Sequence, residues 1–200
     1  MKKLVISVLS VCSFISQAHA YSDKEFTLQE VEQYMSNLKS FSASFDQVVP
    51  GEDFAKGKLY IKRPGKFLWE YKLPDPVKIV SDGGLVYFVD ETTKQVTQVP
   101  NAGILFSLLS LEEVKFNSKT LKVVNLLQNK RRINLDLIAK IDKESDVPVS
   151  VIFEKTDDDK IRLMKIISKN QLDQTIVVSL YNQNNQAQID NDIFKVEEEF

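Results

Sequence analysis

Ser36-Asn37-Leu38-Lys39 has the S-x-x-K spacing in which a lysine amine can activate a serine hydroxyl for acyl transfer. That chemistry also needs S-D-N and K-T-G elements. The nearest sequences, Ser81-Asp82-Gly83 and Lys119-Thr120-Leu121, fail both patterns. Ser36 and Lys39 read instead as the polar face of a first helix. Asp157-Asp158-Asp159 could suggest calcium, but a calcium loop alternates its ligands, bends at a glycine and ends in a bidentate acid. Three consecutive Asp side chains diverge, so a solvated turn is expected. Glu197-Glu198-Glu199 is a terminal acidic run. A glycosidase-type carboxylate pair can meet from distant positions, yet no spacing here marks one.

The single cysteine and the single histidine both lie near the start, at Cys12 and His19. Lys2 and Lys3 precede an apolar run, Leu4 to Ile15, and Ala18-His19-Ala20 follows. This is the pattern of a secretory signal peptide, residues 1–20, cleaved after Ala20. Leu9-Ser10-Val11-Cys12 faintly resembles a lipobox, but Val11 is bulky where a small residue is wanted. The apolar run is also shorter than the roughly 20 residues of a membrane span. The mature chain, 21–200, reads as one domain without Cys or His. Cys–His and Ser–His–Asp mechanisms are then excluded, as are ordinary zinc or copper sites and disulfides. No cofactor and no metal are expected.

The signal takes two of the 26 basic residues and none of the 28 acidic ones, leaving 24 against 28. Such a balance argues against nucleic acid as a partner. Lys130-Arg131-Arg132 is a small basic cluster that reads as a solvated hairpin end, with a docking patch for an acidic partner as the alternative.

The elements that must position any site are mostly strands. Phe26 to Phe41 reads as a helix, with Leu28, Val31, Met35 and Leu38 on one stripe. Thr27 and Glu30 form a capping box, and Phe26 with Val31 a hydrophobic staple. The period then changes to two at Phe41, Ala43 and Phe45. Strand-like runs follow at Lys58–Lys62, Phe67–Lys72, Val77–Ser81, Leu85–Asp90 and Gln95–Val99, then at Lys122–Leu127, Ile133–Ile141, Val149–Lys155, Ile161–Ser168 and Gln174–Asn182. Turn signals such as Arg63-Pro64-Gly65 and Asp82-Gly83-Gly84 separate them. About ten short strands joined by hairpins imply a large antiparallel sheet that curls or closes. Asn101–Val114 breaks the pattern as a short apolar helix containing Ile104, Leu105, Leu108, Leu109 and Leu111. It reads either as a plug that completes the core or as a lid over a cavity.

Gly57 to Tyr71, GKLYIKRPGKFLWEY, is the densest stretch. Leu59 and Ile61 share one strand face, and Arg63 continues it. After the Pro64-Gly65 turn, Phe67, Trp69 and Tyr71 share a face of the next strand. A hairpin sets the aromatic face beside the aliphatic one, with one arginine at the rim.

At this motif the chain resembles the LolA family of periplasmic carriers of outer-membrane lipoproteins. The matching residues are Ala43-Ser44-Phe45-x-Gln47, then Gly57-x-Leu59-x-Ile61-Lys62-Arg63-Pro64-Gly65-x-Phe67-x-Trp69, then Ile79-Val80-Ser81-Asp82-Gly83. The helix at Asn101–Val114 and Asn185–Phe194 also fit. The resemblance implies an incomplete, unclosed antiparallel β-barrel of about ten or eleven strands covered by lid helices. It implies a monomeric, non-enzymatic periplasmic carrier in a Gram-negative bacterium. Such a carrier takes acylated lipoproteins from an inner-membrane ABC transporter complex and delivers them to the outer membrane, often through an acceptor lipoprotein. Arg63 is then the lid latch. Phe45, Leu59, Ile61, Phe67, Trp69 and Tyr71 would bind acyl chains, with Ile104, Leu105 and Leu108 from the lid. Two rivals remain: a lipid- or lipopeptide-sensing or acceptor domain on the same cup, and a carboxylate-based hydrolase. A hydrolase requires a polar cleft with a raised-pKa acid, a carrier an apolar cavity.

Overall fold

Thr27 and Glu30 cap the first helix reciprocally in the computed structural model, which describes residues 25–99, 104–140, 146–170 and 172–196. The Thr27 N–H donates to Glu30 Oε2 at 2.7 Å, and the Glu30 N–H donates to Thr27 Oγ1 at 3.3 Å. Two of the orphan donors of helix α1 (Leu28–Asn37) are thereby satisfied. Val31 and Met35 form its buried stripe. The helix stops at Asn37, short of the Phe41 that periodicity allowed. Phe41 fits both the helical stripe and the alternation that follows. Pairing decides, because Phe41 stands opposite Ile61 in the first ladder.

Eleven strands follow the helix: β1 (Ser40–Val48), β2 (Ala55–Lys62), β3 (Lys66–Leu73), β4 (Val77–Asp82), β5 (Val86–Asp90), β6 (Gln95–Val99), β7 (Leu121–Gln128), β8 (Arg132–Lys140), β9 (Asp146–Lys155), β10 (Ile161–Lys169) and β11 (Thr175–Asn184). A second helix, α2 (Ile104–Ser110), lies between β6 and β7 in the chain, and a 3₁₀ turn spans Asn191–Phe194. The expected runs all appear, several with longer ends. Ile141 and Asn101 fall outside the described residues.

The strands form one antiparallel sheet in the order β6-β5-β4-β3-β2-β1-β11-β10-β9-β8-β7. Pairing of β1 with β11 joins the first and last strands. The edge strands β6 and β7 do not pair with each other, so the barrel is unclosed. Its inner face follows the period-two pattern. Phe41, Ala43 and Phe45 of β1, and Ile133, Leu135, Leu137 and Ala139 of β8, are buried between more exposed neighbours.

β3 departs from the alternation, since Phe67, Leu68 and Trp69 are all buried. Phe67 and Trp69 face the cup. Leu68 belongs to a second cluster with Val80, Val89 and Phe194. The 3₁₀ turn therefore covers the outer face of this part of the sheet.

Candidate functional site

The β2–β3 hairpin places Leu59 opposite Trp69 and Ile61 opposite Phe67, as its parity required. Phe45 of β1 stands opposite Gly57. A Cβ at Gly57 would lie 1.9 Å from the Glu70 carbonyl oxygen and 2.9 Å from Phe45 Cε1, so the glycine makes room for both. Phe45 thereby reaches the aromatic face, 4.7 Å from Trp69 and 5.1 Å from Tyr71 between ring centroids. Tyr71 Oη donates to Gln47 Oε1 at 3.0 Å. Burial pushes the Tyr71 phenol up to about 12, so it stays a neutral donor. This wall carries no formal charge along Phe45, Leu59, Ile61, Phe67, Trp69 and Tyr71. The residues expected to bind acyl chains are thus one contiguous surface.

The space in front of that wall is occupied. Phe106 of α2 lies 5.0 Å from Phe67 and 5.0 Å from Trp69, edge-on to the latter. Ile104, Leu108 and Leu109 are buried in the same cluster as the wall. The Leu105 side chain lies outside the described residues. Phe106 was missed as a site residue, although it lies in the apolar segment. Its signal was helical spacing to Leu109, which marks a shared face but not a partner.

The sequence left the Asn101–Val114 segment as either a plug that completes the core or a lid over a cavity. Among the described residues, Ile104, Phe106, Leu108 and Leu109 of α2 are buried in the same cluster as the wall. An empty apolar cavity forfeits contacts in proportion to its volume, and α2 supplies them. A groove of about 560 Å³ lies on the other face of the sheet, lined by apolar residues such as Leu68, Val80 and Ile193 and by charged ones such as Glu70, Lys78 and Glu91. None of the expected site residues lines it.

Arg63 sits at the end of both helices. Its Nε donates to the Leu109 carbonyl at 2.9 Å, and its Nη1 donates to the Met35 carbonyl. Gly65, at φ +72°, donates its N–H to the Ser110 carbonyl at 3.2 Å. The turn Arg63-Pro64-Gly65 thus caps α2 and holds the last turn of α1. A cation at a helix C-terminus also meets the negative end of the dipole. Burial pulls the guanidinium down to about 10, which leaves it charged at neutral pH. Arg63 is therefore a buried link between the helices rather than a cation at the rim.

The first helix has further attachments. Lys155 Nζ donates to Glu30 Oε1 at 2.9 Å and lies 5.1 Å from the centre of the Phe26 ring. Glu32 Oε1 accepts from the Phe116 N–H at 2.7 Å, and Tyr34 Oη accepts from the Leu163 N–H at 3.3 Å. The second helix meets the sheet through the Arg63-Pro64-Gly65 turn and through apolar packing, among other contacts.

The other sequence candidates remain apart from this site. Lys39 is exposed and Ser36 half-buried. Asp158 is held down at about 2 by Lys160 and Thr156 in the exposed β9–β10 turn. Glu154 is lowered by Arg162 and Arg132 against a smaller effect of burial. For Glu30, burial opposes the charge, but Thr27 and Lys155 outweigh it and lower the pKa. The shifted carboxylates thus move away from a role as proton donor at neutral pH, which does not favour the hydrolase reading.

The family model for outer membrane lipoprotein carrier protein LolA matches residues 36–197. An outer-membrane lipoprotein carrier protein of Proteus mirabilis is 33% identical over 102 residues, covering 48% of this chain and 49% of its own length. Its counterpart in Serratia proteamaculans is also 33% identical over 102 residues, covering 48% of each. The chain spans about half the length of the curated relatives it matches. A LolA superfamily protein of Nitrosomonas europaea, known from a crystal structure, superposes with a TM-score of 0.49 at 10% identity, covering 86% of this chain and 98% of the other.

Proposed function

This chain belongs to the LolA family of outer membrane lipoprotein carrier proteins, and on that premise we propose that it shelters the acyl chains of lipoproteins in transit between the two membranes of a Gram-negative bacterium. Residues 1–20 direct it to the periplasm and are removed. It takes cargo, as a monomer, from an inner-membrane ABC transporter complex and passes it to the outer membrane, through an acceptor lipoprotein where one exists.

One observation carries the reading: the apolar wall around Trp69 is covered by a separate helix of the same chain, α2, through Phe106. Burying about 15 methylenes of one acyl chain is worth roughly 12 kcal/mol at ~0.8 kcal/mol each. Two or three chains bound at that rate would reach or pass the practical ceiling of about 18–21 kcal/mol, and release would stall. A helix that already fills the pocket lowers the net gain. The four buried side chains Ile104, Phe106, Leu108 and Leu109 are each worth about 1.5–3 kcal/mol on burial, roughly 6–12 in all. That is comparable to one acyl chain, so cargo and cover compete on similar terms.

Arg63 sets the closed state in this reading, because departure of α2 breaks its bond to the Leu109 carbonyl while its bond to the Met35 carbonyl of α1 keeps it in place. Phe45, Leu59, Ile61, Phe67, Trp69 and Tyr71 then receive the lipid, while Ile104, Leu105 and Leu108 leave with the helix. Direction comes from ATP at the donor and tighter binding at the acceptor. Purification from periplasm followed by mass spectrometry tests the proposal: acylated lipoproteins should co-purify in a ratio near one to one. Protein that comes out repeatedly without acylated cargo, from cells actively exporting lipoproteins, would contradict it.

A further inference from the structure

The outer edge of β7 is left over once the cup has been accounted for. Residues 114–135 carry Lys115, Lys119, Lys122, Lys130, Arg131 and Arg132 and no acidic residue, in a chain whose net charge is −2. This is the strand and turn that hold the basic cluster first noted at Lys130-Arg131-Arg132.

The edge is half protected. Asn117 Oδ1 accepts from the Val123 N–H at 3.1 Å, and Ser118 Oγ accepts from the Leu121 N–H at 3.2 Å. Beyond a register shift between Val123 and Asn125 that side-chain protection of the main chain ends, and at the far end the segment before α1 comes in, where Gln128 Nε2 donates to Glu25 Oε2 at 3.1 Å and the Phe26 N–H donates to the Asn129 carbonyl at 3.4 Å. The Asn129 N–H donates to the Arg132 carbonyl at 2.9 Å and closes the hairpin. Alternation of bonded and non-bonded pairs then turns the main-chain groups of Gln128 and Leu126 away from their partners Ile133 and Leu135. Among the described residues, those outward main-chain groups meet no partner. The same stretch exposes two large apolar side chains, Val124 at 55% and Leu127 at 60%. Open edges are usually blunted, because they are templates for a further strand.

Charge selects the occupant. A second copy pairing antiparallel about Leu126 would bring Lys122 opposite Lys130, and directly opposed like charges are destabilising. Lys122 is exposed at one end of the stretch. At the other end Arg131 meets Asp157 and Arg132 meets Glu154, in exposed pairs of the kind that contribute little and exchange readily. We propose that Val124–Gln128 of β7 is a docking edge for an extended segment of a partner protein, apolar in its middle and acidic at its ends, which adds one strand to the sheet. Main-chain bonds to Leu126 and Gln128 supply affinity, while Val124, Leu127 and the flanking cations supply selectivity. Docking needs no movement of α2 and does not depend on acyl binding.

The test uses the full chain and a fluorescein-labelled peptide of alternating Val and Thr with two Glu at each end, compared with its twin carrying Lys at the ends. Anisotropy at low salt should show the Glu-ended peptide binding at least about tenfold more tightly, a difference of ~1.4 kcal/mol that shrinks as salt rises. Hydrogen exchange should slow at the Leu126 and Gln128 amides on binding. Leu127→Lys and Lys122→Glu, both at exposed positions, should each weaken the Glu-ended peptide about tenfold while leaving the circular dichroism spectrum unchanged. Equal binding of the two peptides, protection confined to other strands, no binding at millimolar peptide, or protection of these amides through dimerisation of the chain alone would each overturn the proposal.

Discussion

Replacing Phe106 with alanine separates competition from simple packing. The Phe106 ring touches both Phe67 and Trp69 and is buried in the main cluster. Removing a buried Phe side chain costs about 3–5 kcal/mol in a core. We take about 3, because α2 lies over the open side of the sheet and can settle into part of the space. If α2 leaves when lipid enters, the loss falls on the empty closed state alone. The variant should then unfold at lower urea concentration yet bind acyl chains more tightly by the same ~3 kcal/mol, about a hundredfold. Trp69 is the single tryptophan of the chain and lies against the site, so its fluorescence reports occupancy directly. Titration with a peptide carrying one palmitoyl chain gives the affinity. A folded Phe106→Ala protein that binds this peptide equally or more weakly would refute the competition.

Arg63→Leu leaves the Leu109 and Met35 carbonyls without their donor, at about 1–3 kcal/mol each. Amides of α2 should exchange at least about tenfold faster, with lipoprotein delivery impaired more than folding; normal release by this variant would rule out a latch. Gly57→Ala forces a Cβ to 1.9 Å from the Glu70 carbonyl oxygen and should destabilise the fold by about 3 kcal/mol or more in urea melts. A neutral result there would mean that β2 and β3 separate more easily than their ladder indicates. Glu30 has its pKa lowered from an ordinary 4.5. Its contribution to stability is complete above that value and fades as pH falls through the lower folded value. The melting-temperature gap between the native chain and Glu30→Gln should therefore narrow as pH falls below 4.5, and a gap that stays constant on acidification would exclude the Thr27–Glu30–Lys155 cluster as its source.

Local patterns carried much of this fold. The Thr27–Glu30 cap, the alternation at Phe41, Ala43 and Phe45, and the opposition of Leu59 and Ile61 to Trp69 and Phe67 are set by neighbours in sequence, and all are present. What sequence reading missed is non-local. Phe106 takes its meaning from rings almost 40 positions earlier, which periodicity in α2 does not specify. The acceptors for Arg63 are main-chain carbonyls, and these have no signature in residue type. Phe67-Leu68-Trp69 visibly breaks alternation. Yet only the arrival of Phe194, more than 100 residues later, explains why Leu68 is buried on the outer face. Whether the apolar helix is plug or lid was open in sequence for the same reason, because its periodicity marks an apolar face and not what that face covers.

The displacement of α2 by lipid is best tested by nuclear Overhauser contacts between the Phe106 ring and the Trp69 indole, recorded while a triacylated lipopeptide is titrated into the protein. Those cross-peaks should vanish in step with new ones from acyl methylenes to Phe67 and Trp69. Persistence of the Phe106–Trp69 contact at saturating lipopeptide would show that fatty chains bind without evicting the helix.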